Sequence, residues 1–309
     1  MNNSLLATVT DLASQKLDFA LIGAQKCATS WMYLCLRDHP QICVPDKKQE
    51  AGYIGGPMFA EKGAQWFFDR FSCAPGQMRG DVSVEYLFDG ASAAALAERM
   101  TATPKLVVSL RHPVDRMVSG YFWLIRRGFL PKLPIEQGLA PLLRQRPGFP
   151  DPLDGALEEV VRRSNYGPQI AHFVALFGAE TMCVVLYDDV ERDSLGTIQR
   201  IYRFLGADDT FVPPSLNTAP KQNAHTPLLL AIEHQFGKIR MITKLVDITN
   251  QSLLSLGLIK RRDVLPADMR RQLDLLVAPW ITETAAALRA LPVSQRPDPD
   301  NLQRLWGGK

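Results

Sequence analysis

Lys26, Thr29 and Ser30 stand in a turn of mostly small residues, Gly23-Ala24-Gln25-Lys26-Cys27-Ala28-Thr29-Ser30-Trp31, directly after the apolar run Phe19-Ala20-Leu21-Ile22. Residues of these types in that order make an anion pocket. A buried strand ends, and small side chains let the backbone curl closely round a guest. The helix that follows aims free N–H groups and the positive end of its dipole at it. The ammonium and the hydroxyls add charge-assisted bonds to phosphate-like oxygens. This is not a Walker A loop. Counted from Gly23, that motif needs Gly at 28 and Lys at 29, where Ala28 and Thr29 stand, and the lysine comes three residues earlier. The turn is built to hold phosphate, but not as an NTPase holds it. Further on, Arg111 follows a second apolar run, Lys105-Leu106-Val107-Val108-Ser109-Leu110. Its planar fork suits a bidentate phosphate grip, and Ser119 lies eight residues on, about two helical turns away.

The elements that must position these residues follow from the pattern around them. Residues 18–120 alternate short apolar strands with helical stretches, which predicts a parallel sheet covered on both faces. One helix is expected from Thr29 to Arg37, ended at His39-Pro40, and another from Pro113 to about Arg127. The Pro- and Gly-rich stretch 128–155 reads as an irregular insertion. Tyr166 to Phe177 reads as an amphipathic helix stopped by Gly178, and Met182 to Leu186 as a buried strand. Leu195 to Leu205 is a helix ended by Gly206, residues 207–227 a loop, and Pro266 to Leu288 a long helix. The expected fold class is α/β, a P-loop-NTPase-like parallel sheet flanked by helices, with a helical C-terminal region. We read residues 1–309 as one domain, because the third strand can rejoin the first sheet.

Composition narrows the partners. The 309 residues are 46% hydrophobic and 22% charged, ordinary for a globular chain. A net charge of +3 is too small to argue for nucleic acid, so any basic pocket is local. The five cysteines (27, 35, 43, 73 and 183) form no Cys-x-x-Cys pair and no His cluster, which points to neither a disulfide framework nor a zinc site. The N-terminal stretch lacks a basic region and a long apolar core, and no run approaches the ~18 residues of a membrane span. A cytoplasmic protein is the default expectation.

Gln25-Lys26-Cys27-Ala28-Thr29-Ser30 resembles the 5′-phosphosulfate loop of sulfotransferases that use 3′-phosphoadenosine 5′-phosphosulfate (PAPS). Arg111-His112-Pro113-Val114-Asp115-Arg116-Met117-Val118-Ser119-Gly120-Tyr121 is similar to the 3′-phosphate motif of that family, strand-Arg-Asn-Pro-x-x-Arg-x-x-Ser-x-Tyr, with His112 in place of Asn. The likeness continues through Asn165-Tyr166-Gly167, Phe177-Gly178-Ala179-Glu180, Tyr187-Asp188-Asp189 and Phe204-Leu205-Gly206, to about residue 225; Trp306 resembles the family's closing Trp, and 226–262 has no match. The resemblance implies a donor held by Lys26, Cys27, Ala28, Thr29, Ser30, Trp31, Arg111 and Ser119, with Lys221 in a late loop, and adenosine 3′,5′-bisphosphate as product.

Lys47-Lys48-Gln49-Glu50-Ala51-Gly52-Tyr53 resembles the Lys-Glu-x-x-Phe/Tyr segment of glycan-type sulfotransferases, where the Glu is the base. That implies Glu50 as base, with Lys48 next to the position where Lys is usual. A free Glu has a pKa of about 4.3, so burial must raise it. His39 is the rival base. Gly80-Asp81-Val82-Ser83-Val84-Glu85-Tyr86 resembles the element beside the acceptor, which puts Asp81 and Ser83 at the substrate. The acceptor implied is a hydroxyl or amine of a small molecule or glycan, with no metal, because cationic side chains replace Mg²⁺. Two rivals remain: a P-loop kinase, opposed by the displaced lysine, and a nucleotide-binding protein without catalysis, which would not need Glu50.

Overall fold

The computed structural model describes residues 15–48, 52–144, 155–218, 232, 235, 240–256 and 265–307. In chain order the elements are β1 (Leu17–Gly23), α1 (Thr29–Asp38), β2 (Ile42–Cys43), α2 (Pro57–Phe68), β3 (Met78–Val82), α3 (Glu85–Phe88), α4 (Gly90–Glu98), β4 (Met100–Leu110), α5 (Pro113–Arg126), α6 (Ile135–Leu143), α7 (Gly155–Arg162), α8 (Tyr166–Phe177), β5 (Met182–Leu186), α9 (Tyr187–Arg192), α10 (Ser194–Leu205), α11 (Arg240–Ser255), α12 (Ala267–Arg289) and α13 (Pro299–Trp306). Contacts gather the chain into two units. The first is Met1–Arg111, Tyr166–Pro220 and Glu283–Gln303; the second is His112–Asn165, Lys221–Thr282 and Arg304–Lys309.

The first unit holds the parallel sheet, in the order β2-β3-β1-β4-β5. Its central strands are buried on both faces, which is why β1 and β5 read as near-continuous apolar runs. Phe19, Leu21, Met32, Leu36, Val185 and Ile201 share a core that clamps α1 and α10 onto the sheet. The chain leaves β1 toward β2 and β3 but leaves β4 toward β5. The order therefore reverses between β1 and β4, and the crevice beyond the C-terminal ends of those two strands is where such sheets take ligands.

Cys43 and Cys73 form a disulfide, with Cα atoms 5.4 Å apart, and this corrects the expectation of no disulfide. The pairing depends on β2 lying beside the approach to β3, a neighbourhood that cysteine spacing does not reveal. Cys27, Cys35 and Cys183 are buried thiols, and burial pushes Cys183 up to about 11. The irregular insertion also needs correction, since α6 lies within it. Pro134 is the N-cap and Pro141 sits inside, yet Leu139 and Leu142 bury one face. The prolines read as breakers and hid a short amphipathic helix.

In the second unit, α5 begins with His112 as its N-cap. The Nδ1 atom accepts from the Val114 N–H at 3.2 Å, and Nε2 donates to the Trp306 carbonyl at 2.9 Å. An asparagine oxygen can accept the Val114 N–H as Nδ1 does, but its shorter side chain does not extend to the Trp306 carbonyl as Nε2 does. Arg270 bonds Asp115 at 2.5 Å, Asp274 at 3.0 Å and His112 Nδ1 at 3.3 Å. Arg116, fully buried, donates to the Val160 carbonyl and tethers α7 to α5.

Burial, opposed by Asp115 and Asp274 and helped by Arg270, holds the His112 pKa below its ordinary 6.5. The unfolded chain therefore takes up this proton first as pH falls, and His112 contributes stability above about pH 6.5 that is lost below it. Thermal unfolding at pH 7.5 and 5.5 is expected to show a smaller acid loss in His112→Asn than in the wild type. Equal losses would remove His112 from the acid response.

Candidate active site

The phosphate turn lies wholly in the first unit. Lys26 (φ 70°) and Ala28 (φ 63°) are left-handed without being glycine, a conformation that costs ~1 kcal/mol for each. Strain of this kind gathers where a backbone is shaped for a ligand. Alternating handedness also turns successive N–H groups inward. No side chain caps α1. Trp31 and Met32 turn their N–H groups to the Ala28 carbonyl at 3.0 and 3.1 Å. The first N–H groups of the helix, those of Thr29 and Ser30, carry the positive end of the dipole toward a guest. Gly23 is required at the strand exit, because an added Cβ would stand 2.9 Å from the Leu87 Cβ.

Two stitches join this turn to β4. The Ser109 hydroxyl donates to the Cys27 carbonyl at 2.7 Å, and the Ala24 N–H donates to the Ser109 carbonyl at 2.8 Å. Arg111, at the end of the same strand, is half-buried, with its guanidinium 4.3 Å from the centre of the Tyr187 ring. The carboxylates that might have claimed Arg111 are engaged elsewhere: Asp81 faces Arg70, and Asp115 faces Arg270. The Lys48 Nζ reaches the Thr29 hydroxyl at 3.5 Å, which brings a second ammonium to the helix start.

Other expected residues are placed differently. Trp31 is 3% exposed and its indole donates to the Leu216 carbonyl at 3.0 Å, so its side chain anchors α1 and only its backbone belongs to the turn. Cys27 is buried, with its sulfur against the Gln25 carbonyl. Asp81 is buried; it accepts from the Tyr86 hydroxyl at 2.8 Å, and Tyr86 in turn accepts from the Ile54 N–H at 3.0 Å. Burial raises the Asp81 carboxyl above the usual range, against the pull of Arg70 and Tyr86. Ser83 is buried too and accepts from the Glu85 N–H at 3.4 Å, in the turn that leads into α3. Ser119 is buried on α5, in the second unit. Glu50 and Lys221 lie outside the described residues.

His39 is 1% exposed. Its Nδ1 accepts from the Gln41 N–H at 3.1 Å, its Nε2 donates to the Asp208 carbonyl at 2.9 Å, and its ring packs on Tyr202 and Phe211. Both nitrogens serve the fold. The sequence reading missed Ser109 as a stitch, although a hydroxyl inside an apolar strand was its signal. Tyr187 as the platform under Arg111 carried no signal short of the sheet itself.

The sequence pattern of the sulfotransferase domain family matches residues 16–222, a span that runs from β1 through the turn and Arg111 to beyond α10. No curated protein matches the sequence. Among solved structures, a sulfotransferase from Alicyclobacillus acidocaldarius is 22% identical, covers 90% of this chain and 98% of its own, and superposes with a TM-score of 0.61. Mouse sulfotransferase SULT7A1, complexed with PAP, is 14% identical, covers 97% of this chain and 94% of its own, and has a TM-score of 0.50. At those identities the likeness carries the fold, a P-loop-like parallel sheet with flanking helices. Because the family pattern covers well over half of its length, the chain belongs to the sulfotransferase family.

Proposed function

We propose that this protein moves a sulfuryl group from PAPS to a hydroxyl (or amine) of a small-molecule or glycan acceptor. The observation that carries the reading is the pairing of Lys26, on a left-handed turn before an uncapped helix, with Arg111 at the end of the adjacent strand. The residues present fit such a donor. Backbone N–H groups of the turn, the Thr29 and Ser30 hydroxyls and Lys26 suit the phosphosulfate end. Arg111 suits the 3′-phosphate, to which the resemblance assigns Ser119 as well, and the resemblance gives Lys221, in the late loop, a part in holding the donor. The solved relative complexed with PAP supports the same donor class.

In the reaction, the bond from sulfur to the bridging oxygen breaks and a bond from sulfur to the acceptor oxygen forms. The electron pair stays on the departing adenosine 3′,5′-bisphosphate. Lys26 offsets the charge that develops on that leaving oxygen. Glu50 takes the acceptor proton, and Asp81 and Ser83 shape the acceptor side from within the fold. A kinase would instead need an ammonium at position 29, and a non-catalytic binder would need no base.

No described helix is long and apolar enough to cross a membrane. A cytoplasmic location remains a proposal, and the Cys43–Cys73 disulfide weighs against it, since reducing compartments keep such thiols free. Alkylation of protein taken directly from cells decides it: all five cysteines labelled fits the cytoplasm, and two protected excludes it.

Arg111→Ala tests the donor assignment. A bidentate Arg–phosphate grip contributes about 1.5–3 kcal/mol, so calorimetry should show adenosine 3′,5′-bisphosphate bound roughly 10- to 150-fold more weakly. Adenosine 5′-phosphosulfate, which lacks the 3′-phosphate, should bind nearly as before. Equal losses for both ligands would contradict the assignment.

A further inference from the structure

A donor with a phosphate at each end is recognised only if the two grips are held a fixed distance apart. Tyr166 touches both. It is the first residue of α8 and is fully buried. Its hydroxyl donates to the Arg111 carbonyl at 3.0 Å and lies 4.0 Å from the Cys27 sulfur in the phosphate turn. The mounting is firm: at Gly167, the next residue, an added Cβ would come within 2.8 Å of Glu283, so α8 meets that segment backbone to backbone. Arg111 is then held twice, by its carbonyl on Tyr166 and by its guanidinium on the Tyr187 ring.

We propose that Tyr166 is a positioning residue that fixes the spacing between the phosphate turn and Arg111, so that the two ends of the donor are read as one length. This rests on the donor reading given above. The ring only fills the core, and the hydroxyl sets the spacing. Removing the hydroxyl leaves the Arg111 carbonyl without its donor and lets the backbone at 111 turn, while the turn keeps its stitch through Ser109.

The test compares two ligands on Tyr166→Phe. Binding of adenosine 3′,5′-bisphosphate, which needs both grips, is expected to weaken about tenfold, the size of one hydrogen bond to an organising group. Adenosine 5′-phosphosulfate, gripped at the turn alone, is expected to stay within roughly twofold. Tyr202→Phe is the control, since its hydroxyl also donates to a buried carbonyl, that of Cys35 at 2.8 Å. It should lower the melting temperature like Tyr166→Phe yet leave both ligands alone. Equal weakening of both ligands by Tyr166→Phe, or no weakening, overturns the proposal while leaving the donor reading intact. A wild type that does not bind the bisphosphate overturns the donor reading and the proposal together. Should Tyr166→Phe not fold, Tyr166→Met, which fills the same core space without a hydroxyl, takes its place, and the same selective loss is expected or the proposal fails.

Discussion

Lys26→Ala is expected to lower sulfuryl transfer by about 10³-fold or more in kcat while moving the melting temperature little. The expectation follows from where the lysine stands. Lys26 is half-buried in the turn at φ 70°, and alanine must adopt the same left-handed backbone, so the substitution neither relieves nor adds strain there. What is lost is a positive charge beside the oxygen that becomes negative as the sulfur–oxygen bond breaks. Such a charge acts more strongly on the transition state than on the bound donor, so kcat falls much further than affinity for adenosine 3′,5′-bisphosphate. Steady-state rates with a hydroxyl acceptor, set beside calorimetry, separate the two. Turnover within a few-fold of wild type would remove Lys26 from the chemistry.

Glu50→Gln is expected to preserve donor binding and lower turnover by roughly 10²–10⁴-fold. Gln keeps size and hydrogen bonding but removes the site that takes the acceptor proton. The acidic limb of the turnover–pH profile should vanish in the variant, because that limb reports the base. The structure sharpens the comparison with His39. With one imidazole nitrogen on the Gln41 N–H and the other on the Asp208 carbonyl, His39→Asn is expected to cost stability rather than the pH limb. If His39→Asn removed the limb and Glu50→Gln left it, the resemblance to the glycan-type segment would fail at this position.

The parts of the fold that are buried on both faces were legible as runs of apolar residues. Met182–Leu186 and Tyr166–Phe177 fall where the pattern puts them, and α1 ends one residue beyond the expected Arg37. Strand β4 begins at Met100, well before the expected Lys105, because Thr101 to Pro104 is polar and carries a proline. There the strand shifts register against β1 between Leu17 and Phe19, and no apolar run marks that stretch in the sequence. Strand β2 is two residues long, too short for any periodicity.

Within the site, the turn was legible because its chemistry is local: a lysine, two hydroxyls and a helix start lie within a few residues. Arg111 was legible from its strand and the motif after it. The contacts that organise them were not, since Ser109, Tyr166 and Tyr187 meet the turn or Arg111 only when β4, α8 and β5 come together. The direction of Trp31 escaped for the same reason, because the Leu216 carbonyl it bonds lies far along the chain. The buried bond of Asp81 to the Tyr86 hydroxyl, and from that hydroxyl to the Ile54 N–H, escaped as well, because it depends on how α3 folds back on β3.

The most direct measurement is calorimetric titration of the wild-type protein with adenosine 3′,5′-bisphosphate and with ADP in the absence of divalent cations, and with ATP in the absence and presence of Mg²⁺. The bisphosphate should bind about tenfold or more tightly than ADP, because only it fills the Arg111 end of the site. Binding of ATP that requires Mg²⁺, together with no binding of the bisphosphate, would contradict sulfuryl transfer from PAPS and make this turn a kinase's.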